Sequence, residues 1–551
     1  MRGLPVGLME CEFQPVFPTP LCHHPALQGR LKARRHGRSQ WWIGDASPFP
    51  STRSHCCGSF GVLTWLFIPA DPVSSAKPSQ LSATSWVTVQ TVYMQVCAAA
   101  VFAIQAPLLG PRVFGLVAIV WVFVTFCEEV MDTATETLIS VQRLEHEHYG
   151  AMNALVLAFG VAVGLALVIG SRPIASWFAE PSLVNVIRVM AALPLLTGLG
   201  AAPNAATRRN VDFKPLALRT IAGVTCAGVT GVILAILGAG VWALVWQALV
   251  QRAVCLVVLW RGSPLAPRLS LSRAHFRDLS LFVWPLFLAK AMAWASAQLP
   301  RFILALHLAV ADLGLYSMAA RLADIAVMVT AVPRSAVARV ALRRYAIDAS
   351  GLDAAVRRFM QSMSLLTFPL CVGASVLMPT LVHAWLNPRW FGAILPAQAL
   401  LLAAGTKVTF YGGNTLFLAL GRQRNEALMS VLQTITMAIT AWYFGASGLL
   451  AVTLALAARP VLLVPLEAWL VRKTCHVSAS AFLGGQALPL GAATITGAVV
   501  WLLRDHTAAT LGNLSALALL GAAFLTIYSC LLYLLARGEL RQMLPGLHPH
   551  P

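Results

Sequence analysis

The chain has 551 residues, of which 58% are hydrophobic and only 11% charged, and it carries a formal net charge of +19. A soluble domain holds about 25% charged residues, so this composition excludes an ordinary soluble enzyme or a nucleic-acid-binding protein, and its hydrophobicity excludes a disordered scaffold. A helix crossing a bilayer needs about 20 apolar residues, and that length is the natural unit for dividing the chain.

Residues 1–80 differ from the rest. They are rich in Pro, Ser and His and hold eight of the 40 Lys and Arg. The apolar run from Phe60 to Ala70 is too short to span. It is also too far from the start, and too poorly flanked, for a signal peptide. Trp41-Trp42 and Cys56-Cys57 follow no helical or strand period. Cys22-His23-His24 has no second ligand pair at zinc-finger spacing, so no metal is expected. Residues 1–83 read as a disordered cytoplasmic tail or as an extension from an upstream start codon.

From Thr84 onward the chain is a train of apolar runs. Spans are expected at 86–107, 113–135, 151–170, 182–204, 216–237, 240–260, 280–306, 312–334, 359–379, 391–419, 426–445, 448–470, 481–503 and 511–536. Only helices and closed barrels satisfy their backbone in lipid, and runs this long and unalternating are helices. The fold expected is an all-α integral membrane protein of about 14 helices. Seven of the 11 Cys lie in or beside these runs, where Cys acts as a small hydrophobe.

Sorting the basic residues tests that count. Connections after even-numbered spans, with the C-terminal tail, hold 21 Lys and Arg. Connections after odd-numbered spans hold four: Arg112, Arg172, Arg389 and Arg504. This bias places both termini and every even connection in the cytoplasm. One miscounted helix would swap the later loops and erase it.

Two phrases recur about 200 residues apart. Leu108-Leu109-Gly110-Pro111-Arg112-Val113-Phe114-Gly115-Leu116 follows the first span. His307-Leu308-Ala309-Val310-Ala311-Asp312-Leu313-Gly314-Leu315 follows the seventh. Pro203-Asn204 near the end of span four is echoed by Gly413-Asn414 near the end of span ten. Chance similarity between Gly-rich apolar stretches competes with a true repeat. A repeat of six helices would give parallel halves about an axis along the membrane normal. Spans thirteen and fourteen stand outside it.

Leu109 to Leu116, Val141-Gln142-Arg143, Asn210-Val211-Asp212-Phe213-Lys214, Gly240-Val241-Trp242-Ala243-Leu244-Val245, Leu313 to Ala319 and Arg321-Leu322 together carry a resemblance. Over about residues 84–540 the chain resembles the polysaccharide and O-antigen flippases, the Wzx-type branch of the MATE-like multidrug/oligosaccharidyl-lipid/polysaccharide exporter (MOP) superfamily. The resemblance implies two six-helix lobes related by a pseudo-two-fold along the membrane normal, a central cavity and alternating access. It implies an N-lobe at 84–270, a C-lobe at 271–475, and two extra helices with a cytoplasmic tail at 476–551. The implied substrate is an undecaprenyl-diphosphate-linked oligosaccharide, moved between leaflets of the bacterial inner membrane for lipopolysaccharide or exopolysaccharide synthesis. A polymerase and a chain-length regulator of the same pathway are the implied partners, beside membrane lipids. This chain departs from the family's pattern at Pro300-Arg301, where an acidic residue often precedes the basic one, and in its unusually acidic second span.

A charge at the bilayer centre costs about 2.5–3.5 kcal/mol on insertion scales and marks function by default. The basic residues inside spans are Arg188, Arg252, Lys290, Arg301, Arg321, Lys407 and Arg459. Arg can clamp phosphate oxygens in bidentate fashion. The cationic substrate set expected is therefore Arg301, Arg321, Lys290 and Lys407, with Arg188 and Arg459 behind them; Arg252 can instead snorkel to the interface. Arg321 with Asp324 three residues on could also be a self-neutralising pair. Glu128, Asp132 and Glu136 recur every four residues and share one helix face. Two readings stand for them: proton or sodium coupling, or salt bridges to basic residues of the other lobe, with Glu136 solvated at the interface as a further option.

The stretch Arg334 to Arg358 carries six Arg among Ala, Val and Leu and reads as an amphipathic interfacial helix. Gly160 and Gly164 suit close helix packing. Pro194/Pro203, Pro285/Pro300 and Arg459-Pro460 suggest broken helices beside a cavity. Glu145-His146-Glu147-His148 reads as a solvated cytoplasmic loop rather than a metal site. No Walker loop, dinucleotide fingerprint or extramembrane Ser/His/Asp arrangement is present, so no enzyme and no cofactor are expected. The competing functions are a cation-coupled multidrug exporter and a lipid II-type flippase of the same superfamily.

Overall fold

Breaks at Gly, Pro and short polar turns convert the apolar runs into antiparallel helices. The computed structural model describes residues 78–140, 146–209, 213–262, 287, 290–292, 294–295, 298–346 and 350–535. Among them there is no strand, and 13 helices are long and apolar enough to cross a membrane. The expected seventh span, 280–306, is described only in part. The N-terminal features from Cys22 to Ala70, Arg143, Asn210 to Asp212, Pro285 and the tail beyond 535 lie outside the described residues.

The first group of helices is α1 (Pro78–Leu108), α2 (Pro111–Ser140), α3 (His146–Trp177), α4 (Leu183–Met190), α5 (Ala192–Gly198), α6 (Ala201–Arg209), α7 (Phe213–Ile236) and α8 (Val241–Arg261). The second begins with a helical segment at residues 298–307 (α9). It continues with α10 (Val310–Thr330), α11 (Val332–Leu342), α12 (Leu352–Trp385), α13 (Ile394–Ala419), α14 (Gln423–Gly445) and α15 (Leu449–Cys475). The last two helices are α16 (Ala479–Leu511) and α17 (Asn513–Leu535).

Several local expectations need correction. The fourth span is broken into α4, α5 and α6, as its two prolines suggested, although Arg459-Pro460 sits inside the continuous α15. His146 opens α3, so the His146-Glu147-His148 stretch is a helix start rather than a loop. The Arg334 to Arg358 stretch is not one helix. It is α11, a short 3-10 turn at Arg343–Ala346, and the first turns of α12.

Burial is inverted at the outer surface. Leu462 is 77% exposed and Ile169 76%, side chains that water would bury and that lipid leaves outside. The interior of the second group holds Trp390, Phe417 and Phe482, all fully buried. Gly160 and Gly164 let α3 lie against the backbone at Leu195 and Ala191. The two C-terminal helices dock on α12: Tyr528 Oη donates to the Leu365 carbonyl at 3.0 Å, and the Phe524 ring covers Gly373. Gly240 and Gly448 begin α8 and α15 at φ +58° and +95°, backbone that favours glycine.

The two groups meet where α2 crosses α10. A Cβ on Gly115 would overlap the Val310 carbonyl, and a Cβ on Gly314 would overlap the Pro111 carbonyl. In the repeated phrase Gly115 corresponds to Gly314 and Pro111 to Val310. Equivalent residues therefore make reciprocal contacts, as a two-fold axis through the crossing requires. Beside it, the last carbonyls of α1 need donors from outside their helix. Trp385 Nε1 donates to Ala103 O at 2.8 Å, Trp390 Nε1 to Ala106 O at 2.8 Å and Asn387 Nδ2 to Pro107 O at 3.0 Å. Phe102, Phe114 and Trp390 stack edge-on with centroids 5.6 and 5.5 Å apart. All of this lies on the side of the odd-numbered connections.

Adding a side chain at the crossing should destabilise the bundle. Gly115→Val overpacks against backbone that cannot move, a cost of about 1–3 kcal/mol or more, and should lower the thermal midpoint in detergent by several degrees. Gly491→Ala, in α16 with open space around it, should leave the midpoint unchanged or raise it. Equal behaviour of the two variants would show that the crossing carries no special constraint.

Candidate functional site

Charged side chains within the spans form two separate clusters. The first belongs to the second helix group. Asp324 of α10 is its hub: Lys407 Nζ of α13 lies 2.8 Å from Oδ1, and Arg301 Nη2 of α9 lies 3.6 Å from Oδ2. All three side chains are about half exposed, so the pairs are screened rather than sealed. Arg459 of α15 donates from Nη1 to the Gln433 carbonyl at 2.6 Å and to Thr436 Oγ1 at 3.2 Å, both on α14, while its buried Nε has no partner.

Arg301, Asp324, Lys407 and Arg459 line one cavity of about 480 Å³. Asn414, Glu426 and Glu467 line the same cavity. Asn414 Nδ2 donates to Glu426 Oε1 at 2.9 Å. Glu467 is only 1% exposed and its Oε2 is unpartnered. Its carboxylate lies against Gly413, where a Cβ would strike Oε1. Eight residues separate Arg459 from Glu467 along α15, about 12 Å at ~1.5 Å per residue. The cavity thus has a layer with three cations around one carboxylate, and a separate acidic and amide layer nearer the basic connections.

The second cluster is the acidic row of α2. Glu128 Oε1 is 2.5 Å from Arg252 Nη2 of α8. Lys290 Nζ donates to Glu136 Oε1 at 2.9 Å and lies 3.8 Å from Glu129. Asp132 makes no ion pair among the described residues. The row is thus neutralised in part by α8 of its own helix group, and Glu136 is paired rather than merely solvated. The Arg321–Asp324 self-pair is also not observed: Asp324 serves Arg301 and Lys407, while the Arg321 guanidinium lies 5.2 Å from the centre of the Phe102 ring on α1. Arg188 Nε donates to Ser171 Oγ at 3.3 Å between α4 and α3.

The expected cationic set is therefore divided. Arg301, Lys407 and Arg459 share a cavity; Arg321 faces α1, Lys290 serves the α2 carboxylates, and Arg188 ties two helices of the first group. Glu426, Glu467 and Asn414 were not among the expected site residues. A carboxylate inside the apolar run 448–470 was the available signal for Glu467, by the same cost that singled out the basic residues. A second cavity of about 460 Å³ is apolar, lined by Phe123 and Phe126 of α2, Leu167 of α3 and Trp294, Leu299 and Phe302. Arg301 and Phe302, adjacent on α9, face the charged cavity and the apolar one respectively.

Residues 104–395 match the family model described as polysaccharide biosynthesis protein, more than half of the chain. The chain belongs to this family. The succinoglycan biosynthesis transport protein ExoT of Rhizobium meliloti (strain 1021) is 28% identical over 226 residues, 40% of this chain and 45% of the relative. The chain thus matches about half the length of that curated relative. Among solved structures, a lipid II flippase, MurJ, in an inward closed conformation superposes with TM-score 0.66 at 13% identity, over 82% of this chain and 99% of the other. An inward-facing multidrug resistance MATE family transporter of the MOP superfamily superposes with TM-score 0.54 at 14% identity, over 71% and 96%. The fold of this multi-pass membrane protein is the one expected.

Two substitutions separate a paired carboxylate from an unpaired one. Asp324→Asn leaves Arg301 and Lys407 facing each other without their shared anion, and should lower the thermal midpoint measured in detergent. Glu467→Gln replaces a buried carboxyl whose Oε2 has no partner, and should leave the midpoint unchanged or raise it. A larger loss for Glu467→Gln than for Asp324→Asn would overturn this account.

Proposed function

We propose that the chain flips undecaprenyl-diphosphate-linked oligosaccharide units from the cytoplasmic to the periplasmic leaflet by alternating access, for surface polysaccharide or lipopolysaccharide synthesis. The observation that carries the reading is the cation layer of the charged cavity. Arg301, Lys407 and Arg459 face it together with one carboxylate, and Arg459 has only neutral acceptors. A diphosphate entering this layer would exchange those contacts for charge-assisted hydrogen bonds. The apolar cavity on the other side of α9 suits the other half of an amphiphilic lipid. The two lobes at 84–270 and 271–475 would rock about the α2–α10 crossing, with α16 and α17 docked on α12.

In this reading Arg321, Lys290 and Arg188 act before or after the state described, when the helices holding them have moved. Asp132, alone among Glu128, Asp132 and Glu136 in having no ion pair among the described residues, is the coupling candidate on α2. The protein would sit in a bacterial inner membrane with both termini cytoplasmic, upstream of a polymerase and its chain-length regulator. A cation-coupled exporter of small molecules is the second reading, favoured by the unpartnered Glu467 oxygen in the cavity.

The test is deletion of the gene with measurement of lipid-linked oligosaccharide in the cytoplasmic leaflet and of surface polysaccharide. The flippase reading expects the intermediate to accumulate and the polymer to disappear. Export should return with the full chain and with Lys407→Arg. It should fall about ten- to a hundred-fold with Arg301→Gln or Lys407→Gln, the loss of one hydrogen bond to a charged group. Unchanged lipid intermediates with new drug sensitivity would transfer the assignment to the exporter.

A further inference from the structure

The helix α11 has two unlike faces. Ser335, Ala338 and Leu342, at helical spacing, are buried, and the helix packs against α13, which carries Lys407. The opposite face presents Val337 at 58% and Val340 at 77% exposure. Arg339 lies between these valines in sequence and is exposed, as are Arg343 and Arg344 in the turn that follows. There is no acidic residue from 325 to 347 to neutralise them. Arg357 and Arg358, exposed at the start of α12, extend the basic surface.

Length decides what such a helix can do. The 21 residues of α10 reach about 31 Å and cross a hydrocarbon core unaided. The 11 residues of α11 reach only about 16 Å and cannot. Ala331 keeps helical backbone and its carbonyl accepts from the Ser335 N–H at 3.0 Å, so α11 follows α10 end to end, with Pro333 in its first turn. Arg334 Nη1 donates to the Thr330 carbonyl at 2.5 Å and ties the new helix to the end of α10. Topology anchoring needs only charge. It does not explain outward valines beside an arginine past the length that α10 needs to span, whereas a helix end at the interface uses both.

From this we infer that α11 and the turn after it form a docking surface for anionic phospholipid head groups. Val337 and Val340 enter the acyl boundary, and Arg339, Arg343 and Arg344 hold the phosphates. A neutral head group satisfies the valines and not the arginines; a free phosphate ion satisfies the arginines and not the valines. Because α11 lies on α13, a lipid bound there touches the support of the charged cavity. The inference does not depend on which cargo the cavity takes.

The experiment places a photoreactive side chain at the exposed position, Val340→p-benzoylphenylalanine, in the full chain. The protein is reconstituted in vesicles of equal phosphatidylglycerol and phosphatidylcholine, and the crosslinked species are identified by mass. Crosslinks to phosphatidylglycerol should exceed those to phosphatidylcholine by at least about five-fold, each near-surface cation adding attraction of that order. Millimolar inorganic phosphate should not reduce them. Arg339→Gln, Arg343→Gln and Arg344→Gln together should bring the ratio to one. The three Lys replacements should keep the preference, which separates lost charge from a lost fold. A ratio near one in the unsubstituted background, a preference that survives the Gln set, displacement by phosphate, or crosslinks to protein in place of lipid would each overturn the inference.

Discussion

The backbone contact between α2 and α10 is the constraint on which the rest of the bundle depends. Two helices can touch carbonyl to Cα only where neither has a side chain in the way, and Gly115 and Gly314 remove both obstacles at one crossing. The contact is reciprocal because the residues are equivalent in a repeat. Its closeness brings the end of α1 within reach of the segment after α12, so that Trp385, Asn387 and Trp390 can serve its carbonyls. A wider crossing would leave those carbonyls without donors from the protein.

Charge within the membrane follows the same economy of partners. Six of the seven basic residues inside the spans were expected to serve substrate, yet several find local work. Arg252 and Lys290 neutralise the α2 carboxylates, and Arg188 bonds Ser171. Asp324 alone cannot neutralise both Arg301 and Lys407, and Arg459 takes only neutral acceptors. That surplus of positive charge is local to one layer of one cavity, and it distinguishes this cluster from the row on α2, where carboxylates outnumber the cations paired with them. Total charge inside the spans would not have separated the two.

Much of the fold was legible because lipid imposes one rule along the whole chain. Run length and the sided distribution of Lys and Arg suffice for the helices and their alternation, and the spans expected outside residues 280–306 correspond to 13 candidate spans, the fourth of them the broken run Leu183–Arg209. The phrases at 108–116 and 307–315 signalled the repeat, and the reciprocal glycine contact gives that echo its physical reason. The site was less legible. Spacing places Glu128, Asp132 and Glu136 on one face but cannot say that Arg252 and Lys290 stand opposite. Arg321 and Asp324 are three residues apart, and that nearness pointed to a self-pair. Partners from α9 and α13 prevail because their geometry is set by packing between helices distant in sequence. Glu467 stood out in sequence only as a carboxylate inside an apolar run, while the cavity that gives it neighbours is built with α13 and α14.

Adjacent residues on α9 set the character of the interior. Arg301 faces the charged cavity and Phe302 the apolar one, so a single helix forms the wall between two solvents. A cargo with one polar end and one apolar end can contact both sides of that wall only by straddling α9 or by passing its edge. A fully polar cargo would leave the apolar cavity empty, and a fully apolar one would leave Arg301, Lys407 and Arg459 without new partners. The buried, unpartnered Nε of Arg459 and Oε2 of Glu467 stand in separate layers of the charged cavity. They are about 12 Å apart along one helix, too far to satisfy each other directly. Any occupant or helix movement that pairs one need not pair the other. The two groups are therefore suited to be satisfied at different stages of one cycle.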